Sequence, residues 1–173
     1  MVYQAKTNQE NRKREEKDIE AAQQLTVRFL SYRSRSSEEV KNKLAEKGFP
    51  PRTIQKTIAR IKELGYLNDY DYAHAFGRSC IEHKLWGAAR IRDALQQKGI
   101  VPDTITTVLQ ELAQEHDYNR VARRALDSKF PARGTPGLTG EKTRQKAISY
   151  LRRRGFCWST IAAVIDPGYD TTP

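Results

Sequence analysis

Apolar residues recur at the spacing of one helix face along most of the chain, and three glycine motifs divide this pattern into similar parts. The motifs are Lys47-Gly48-Phe49, Lys98-Gly99-Ile100 and Arg154-Gly155-Phe156, and each follows an amphipathic basic stretch. Such a motif is typical of a helix that ends at a left-handed glycine. Apolar residues stand eight and four positions before each glycine, and six and ten positions after it: Val40, Leu44, Ile54 and Ile58; Ile91, Leu95, Ile105 and Leu109; and Ala147, Leu151, Ile161 and Ile165. The same pair of helices is therefore predicted three times.

Another helical stretch precedes each pair and completes a three-helix unit. Its apolar positions agree between the first two units: Ala22, Leu25 and Phe29 match Ala73, Phe76 and Cys80. The three glycines are 51 and then 56 residues apart, and the excess falls in the Gly- and Pro-rich segment 131–137. Three short helices bury little core alone, so neighbouring units are expected to pack on one another. The predicted fold is all-α, with three tandem three-helix repeats forming an elongated, curved array.

Helix-capping residues indicate where the units begin and end. Ser36-Ser37 precede two acidic residues, Pro51 and Pro102 occupy first-turn positions, and Asn68-Asp69 precede the second unit. The first twenty residues are charged and lack an apolar core. The predicted organisation is a disordered arm over 1–20, followed by repeats over 21–68, 69–115 and 116–173, the last with an inserted loop near 130–140.

Composition limits the class of protein. The chain has 173 residues, of which 38% are hydrophobic and 30% are charged, so it is long enough for one domain or a short array of modules. No apolar run approaches the roughly 18 to 20 residues of a membrane-spanning helix, and the charged arm is not a secretory signal. Cys80 and Cys157 lack the paired spacing of a disulfide framework or a zinc site. We therefore expect a cytoplasmic monomer without a membrane partner.

The charge of the chain favours a polyanionic partner, because the net charge is +10 and the isoelectric point is near 9.7. Residues 21–68 carry ten basic and four acidic residues, and residues 116–173 carry eleven and five, so each segment has a net charge of +6. Residues 69–115 have a net charge of −2. Two basic ends around an acidic centre are not typical of a uniformly basic DNA-binding protein.

Two stretches resemble the RecX family of regulatory proteins. Residues 33–49, RSRSSEEVKNKLAEKGF, are similar to the family signature, with Val40 where leucine is usual. Residues 65–73, GYLNDYDYA, and 87–100, GAARIRDALQQKGI, resemble the centre of the family in order and spacing. The third unit ends similarly at residues 152–156, RRRGF, whereas its inserted loop and the tail at 166–170 depart from the pattern. The resemblance is good from residue 21 to about residue 115.

The resemblance implies a non-enzymatic regulator of the RecA recombinase, with no cofactor. Such a protein lodges in the groove of a RecA filament on single-stranded DNA and inhibits filament growth and activity in recombination and DNA repair. No Gly-rich phosphate loop, nucleophile elbow or His-Glu metal motif points to an enzyme. The alternative is an autonomous, largely nonspecific DNA-binding helical protein, although Arg52, Gln55 and Lys56 match the expected base-reading side chains only weakly. Weak binding of single-stranded DNA is compatible with either hypothesis.

Basic residues near the glycine-ended helices are the candidate contacts with the filament or with DNA. In the alternative interpretation, they form solvated helix faces. Consecutive arginines point around a helix, so at least one of the last three is expected to face a repeat interface. The candidates are Arg33, Arg35, Lys43 and Lys47 in the first unit, Arg90 and Arg92 in the second, and Lys142, Arg144, Lys146, Arg152, Arg153 and Arg154 in the third.

Three other groups of side chains have a structural interpretation that outweighs the functional one. Aromatic rings could stack on bases, but core packing is favoured. A His/Cys trio lacks ligand spacing on one helix face, so no metal site is expected. Two aspartates stand at a helix start, where carboxylates favour the helix dipole without any catalysis. These groups are Tyr66, Tyr70, Tyr72, Trp86 and Trp158; His74, Cys80 and His83; and Asp69 and Asp71.

Overall fold

The computed structural model describes residues 2–130 and 140–165, with side chains from residue 14 onward. Over these ranges the chain is all-α, as predicted, and the described residues form nine helices and no strand. The first three helices are α1 (Val2–Tyr32), α2 (Ser37–Glu46) and α3 (Pro51–Glu63). The next three are α4 (Asp69–Lys84), α5 (Ala88–Gln97) and α6 (Pro102–Glu115), and the last three are α7 (Tyr118–Lys129), α8 (Glu141–Arg153) and α9 (Trp158–Ile165).

Most of the predicted apolar positions are buried in the cores of the helix groups, together with apolar residues that the pattern did not include. Around α1, α2 and α3, the buried hydrophobic side chains are Ala22, Val40, Leu44, Ile54, Ile61 and Leu67. Along α5 and α6, they include Ile91, Leu95, Ile105 and Leu112, and along α7, α8 and α9 they include Val121, Leu126, Leu151 and Ile161. Each fully buried aliphatic side chain of this size contributes about 1.5–3 kcal/mol to stability. The helices therefore depend on tertiary packing rather than on their own propensity.

The three predicted glycines end their helices in the left-handed conformation. The φ angles of Gly48, Gly99 and Gly155 are 82°, 74° and 83°. After Gly155, the N–H of Phe156 bonds to the carbonyl of Leu151 at 3.2 Å, and the first motif has the same bond at 3.2 Å. Such bonds satisfy carbonyls that a helix end leaves without partners.

Two of the glycine-ended turns also form hydrogen bonds with the start of an earlier helix. The hydroxyl of Ser36 donates to the carbonyl of Lys98 at 2.7 Å, next to the start of α2. The N–H groups of Gly87 and Ala89, at the start of α5, donate to the carbonyls of Arg154 at 2.7 Å and of Gly155 at 3.1 Å. A Cβ at Gly155 would overlap the backbone nitrogen of Arg90, so only glycine fits there. The repeated sequence motif is therefore a repeated contact as well as a helix end.

The described chain divides into two compact units. One contains the described residues up to Tyr72 together with Lys98–Ile100, and the other contains Ala73–Gln97 and the described residues from Val101 onward. The turn at Gly99 and the start of α2 lie in the first unit, whereas the turn at Gly155 and the start of α5 lie in the second. The repeat boundaries at 21–68, 69–115 and 116–173 stay predictions.

The structure differs from the prediction at the beginning of the chain. Helix α1 starts at Val2, so residues that the sequence predicts as a disordered arm belong to a helix. The carboxylate of Glu15 lies 3.1 Å from the Arg52 guanidinium and 2.7 Å from the Lys56 ammonium, and these ion pairs fix this part of α1 to α3. Most of the predicted inserted loop, residues 131–139, and the tail from residue 166 lie outside the described residues. None of the described helices is long and apolar enough to cross a membrane.

Candidate functional site

The arginines before α2 are held by one carboxylate. Arg33 donates to Glu39 at 2.8 Å, and the Arg35 guanidinium lies 3.8 Å from the same carboxylate and 4.2 Å from the centre of the Phe29 ring. The Lys98 ammonium is 3.6 Å away. Glu39 also accepts from the N–H of Ser36 at 3.1 Å, and the Ser36 hydroxyl accepts from the N–H of Glu39, which closes a capping box. Arg33 and Arg35, predicted as partner contacts, therefore brace the start of α2.

This arrangement keeps Glu39 ionised. Burial raises the pKa of its carboxyl, but the hydrogen bonds from Arg33 and from the Ser36 backbone, together with the charge of Lys98, lower the pKa to about 2. The hydrogen bond with Glu39 in turn raises the pKa of Arg33. Both partners are therefore charged at neutral pH, and the interaction is a charge-assisted hydrogen bond.

The remaining candidates of the first unit lie on the surface of α2. The Lys43 ammonium is 3.0 Å from the carboxylate of Glu46, one turn further along the helix. The exposed fractions of the two side chains are 30% and 62%. Lys47 is exposed at the end of the helix, where a cation favourably meets the helix dipole.

The two basic ends of the chain differ in how their charge is neutralised. Eight of the ten basic residues in 21–68 lie within 4 Å of a carboxylate oxygen. In the third unit, no carboxylate of the described residues lies within this distance of Arg120, Arg123, Arg124, Lys129, Lys142, Lys146, Arg152, Arg153 or Arg154. The equal net charges that the sequence shows at the two ends are therefore not equally available to a partner.

A groove of about 410 Å³, the α5–α8 groove, brings together candidates from two predicted units. The Arg90 guanidinium lies 4.3 Å from the centre of the Trp86 ring and donates to the backbone carbonyl of Arg153 at 3.1 Å. Arg152 and Arg153 also line the groove, and their side chains are exposed. Asp93 is the one carboxylate in its lining. The groove thus presents three arginines against a single acid.

Arg154 has a different role from the two arginines before it. Its guanidinium donates to the carbonyl of Lys84, at the end of α4, and lies 4.9 Å from the centre of the Tyr150 ring. One of the three arginines therefore contacts a helix of another predicted unit. Among the other candidates, Arg92, Lys142 and Lys146 are exposed, and Arg144 is half-buried.

The aromatic candidates divide between buried and exposed positions. Tyr72 is buried, with the Lys98 ammonium 5.7 Å from its ring centre, and half-buried Trp86 already contacts two cations, Lys84 at 4.7 Å and Arg90. The expectation of core packing is wrong for Tyr66 and Trp158, whose exposed fractions are 64% and 65%.

Their backbone positions explain this exposure. Tyr66 follows Gly65, which is left-handed with a φ of 74°, in the turn after α3. Trp158 is the first residue of α9, the position at which Pro51 and Pro102 begin α3 and α6. Tyr70, in the first turn of α4, is also exposed.

The His/Cys and aspartate groups have structural partners. Among the described residues, no group of three His, Cys, Asp or Glu side chains could hold a metal ion. His74 lies 3.3 Å from the Glu115 carboxylate, which also pairs with Arg78 at 2.7 Å. Asp69 accepts from the N–H of Ser37 at 2.7 Å and lies 3.0 Å from Lys62. Burial raises the pKa of Asp69, but these hydrogen bonds lower it below its usual value.

Comparison with known proteins identifies the family. The model of the first three-helix domain of RecX matches residues 22–60, and that of the second three-helix domain matches residues 68–109. The regulatory protein RecX of Chlorobaculum tepidum is 32% identical over 139 residues, which are 80% of this chain and 82% of that protein. The chain belongs to the RecX family. The regulatory protein RecX of Vibrio cholerae is also 32% identical, over 83% of this chain and 91% of its own.

Solved RecX structures have the same fold. The crystal structure of RecX from Lactobacillus salivarius has a TM-score of 0.73 and 21% identity, and it covers 87% of this chain and 96% of its own. A second crystal structure, of a regulatory protein RecX, has a TM-score of 0.78 and 23% identity over 92% of this chain and 77% of its own. These likenesses confirm the prediction of an all-α fold built from three-helix repeats.

One exposed basic surface, on α7, lies outside the RecX motifs of the sequence. Both family models end before α7, and the exposed basic residues of this helix were not among the sequence candidates: Arg120, Arg123, Arg124 and Lys129. Their signal in the sequence is the short basic run that follows Asp117, whose side chain caps α7 through the N–H groups of Asn119 at 2.8 Å and Arg120 at 3.3 Å.

Proposed function

We propose that this chain is a non-enzymatic regulator of the RecA recombinase. It binds the RecA filament on single-stranded DNA and inhibits filament assembly and filament activity in recombination and DNA repair. Membership of the RecX family supports a regulatory role, and the resemblance of residues 33–49 and 65–100 to that family supplies RecA as the partner. The relatives are named regulatory proteins, which is consistent with a function that does not depend on catalysis.

The observation that best supports a contact with the filament is the set of exposed arginines at the α5–α8 groove. Arg152 and Arg153 have no carboxylate partner within 4 Å in the described chain. They can therefore form ion pairs with a partner without first breaking an internal ion pair. Arg33 and Arg35 are already paired with Glu39, and replacing that pair would cost the cap of α2. The proposed contact set is therefore narrower than the one that the sequence suggests.

The alternative of an autonomous DNA-binding module gains nothing from α3. A reader of base edges needs free polar side chains on an exposed helix. Arg52 and Lys56 are both paired with Glu15 of α1, so these side chains are engaged. Nonspecific contact with DNA phosphates through the third unit is compatible with both functions.

Co-sedimentation with preformed filaments tests the proposal. We expect the chain to pellet with RecA filaments assembled on circular single-stranded DNA, and the double variant Arg152→Glu/Arg153→Glu to bind at least tenfold more weakly, about 1.4 kcal/mol or more. The matched control, Lys17→Glu/Arg28→Glu, makes the same change in net charge at exposed residues of α1 and should bind like the parent. A parent chain that stays in the supernatant, or a control that loses binding equally, would contradict the proposal.

A further inference from the structure

A second groove lies between the end of α7 and one face of α8, in the same compact unit as the α5–α8 groove. This α7–α8 groove has a volume of about 480 Å³. Its lining contains three cations and no carboxylate, with two neutral polar side chains and two aromatic rings: Lys129, Lys146 and Arg153; Gln145 and Ser149; and Phe130 and Tyr150.

The charge of this groove is not neutralised by the described chain. Lys129, Lys146 and Arg153 are exposed, and no described carboxylate lies within 4 Å of them. The carboxylate of Glu141 accepts from the Gln145 amide at 2.8 Å and is therefore engaged with a neutral group. Like charges held close together repel one another, and a bound anion relieves that repulsion. The groove is thus suited to an anionic ligand.

The cations are spaced for a chain of phosphates rather than for one small anion. Lys146 and Arg153 are seven residues apart on α8, which is about 10.5 Å along the helix axis, so they can contact different phosphates of one strand. Lys142 continues the same face one turn earlier. Arg153 lines both this groove and the α5–α8 groove, where Arg152 and Arg90 follow.

We propose that the α7–α8 groove binds the sugar–phosphate backbone of a single strand of nucleic acid. The strand continues into the α5–α8 groove, and Arg153, which lines both grooves, contacts it between them. The inference rests on the proposed function in that the strand is the one on which RecA assembles. Binding does not depend on base sequence, because the side chains that could recognise a base are already engaged within the protein. The Phe130 and Tyr150 rings contact each other edge to face at 5.9 Å, Arg154 lies over the Tyr150 ring, and the Gln145 amide donates to Glu141.

Direct titration of DNA, without RecA, tests this site. The full chain is titrated into fluorescein-labelled thirty-nucleotide oligothymidine, and binding is followed by fluorescence anisotropy from 50 to 200 mM salt. The site variant is Lys129→Ala/Lys146→Ala/Arg153→Ala. Alanine at Arg153 keeps the backbone carbonyl that accepts from Arg90. The matched control, Arg14→Ala/Lys17→Ala/Arg28→Ala, removes three exposed cations of α1, and circular dichroism verifies that both variants fold.

Each phosphate contact contributes about 0.7 to the logarithmic salt slope for a single strand. Removing three contacts should therefore lower the slope by about 2, so that the parent loses about 20-fold more affinity than the site variant across this salt range. The control should keep the slope of the parent. Unlabelled oligothymidine and oligodeoxyadenosine should compete equally, and polyglutamate of equal charge should compete poorly.

Three results would overturn the inference. Equal slope losses in both variants would mean that the charge acts diffusely, stronger competition by polyglutamate would assign the groove to an acidic protein segment, and stronger competition by duplex DNA would exclude a single-strand site. These outcomes are separable from the proposed function. If the parent binds RecA filaments but the site variant binds oligothymidine unchanged, only this inference fails. If the site variant loses oligothymidine binding while the parent does not bind RecA filaments, only the proposed function fails.

Discussion

At the scale of single residues, an exposed charge in the sequence says little until its partner is known. Arg33 and Glu39 are six residues apart across the turn between α1 and α2, and Lys98 is far away in the chain, so no helical spacing predicts that they meet. Arg154 contacts the carbonyl of a residue 70 positions earlier. The sequence could therefore nominate basic residues, but it could not separate those that brace the fold from those that are free.

Neutralising Glu39 should destabilise the protein. The change Glu39→Gln keeps the size of the side chain but loses the charge that Arg33, Arg35 and Lys98 share. One pKa unit corresponds to about 1.4 kcal/mol, and the carboxylate is 22% exposed, so after solvent screening we expect the free energy of unfolding to fall by about 2 kcal/mol at pH 7. Urea denaturation measures this. Glu46→Gln, at an exposed ion pair, is the control and should have a much smaller effect.

The difference in stability between the parent and Glu39→Gln should depend on pH. The pKa of Glu39 is lowered on folding, from an ordinary value of 4.5 to about 2. Its contribution is therefore complete above pH 4.5 and is lost as the pH falls towards 2. The difference in stability between the parent and Glu39→Gln should narrow over this interval. A difference that stays constant from pH 7 to pH 2.5 would show that the charge of Glu39 is not what stabilises the start of α2.

At the scale of the helices, local signals in the sequence are sufficient to predict most elements. Glycine at the ends of α2, α5 and α8, and proline at the start of α3 and α6, place these boundaries because each residue type fits a backbone conformation that others resist. The extension of α1 was not predicted because the first twenty residues have no apolar pattern, and the sequence does not reveal that Glu15 pairs with Arg52 and Lys56 of α3.

The three glycines give a matched series for the repeated turn. All have φ angles between 74° and 83°, so alanine should cost each about 1–2 kcal/mol of backbone strain. A Cβ at Gly48 meets nothing within 4 Å, whereas at Gly99 it would overlap the Glu38 side chain, and at Gly155 it would overlap the Arg90 backbone. Overpacking adds about 1–3 kcal/mol. Thermal unfolding should rank the losses Gly155→Ala, then Gly99→Ala, then Gly48→Ala; equal losses would mean that the turns at Gly99 and Gly155 add no tight packing.

At the scale of the whole molecule, equal net charge at the two ends conceals different roles. The first end neutralises most of its cations internally, whereas Lys129, Lys146, Arg152 and Arg153 of the third unit are exposed and have no carboxylate partner among the described residues. The sequence predicted the repeats and the RecX resemblance, because both are encoded in short motifs. It did not predict either groove, because each is formed where side chains of two helices come together in the fold. The elongated, curved arrangement of the repeats stays a prediction.

The most direct measurement is RecA ATP hydrolysis on single-stranded DNA while this chain is titrated from far below to above the RecA concentration. Inhibition at a small fraction of the RecA concentration is the predicted result, because a regulator that acts on the filament needs few copies to stop its growth. The variant Arg152→Glu/Arg153→Glu should require at least tenfold more protein for the same inhibition, about 1.4 kcal/mol or more. Inhibition only when there is enough protein to coat the DNA, or no inhibition at any ratio, would contradict the account.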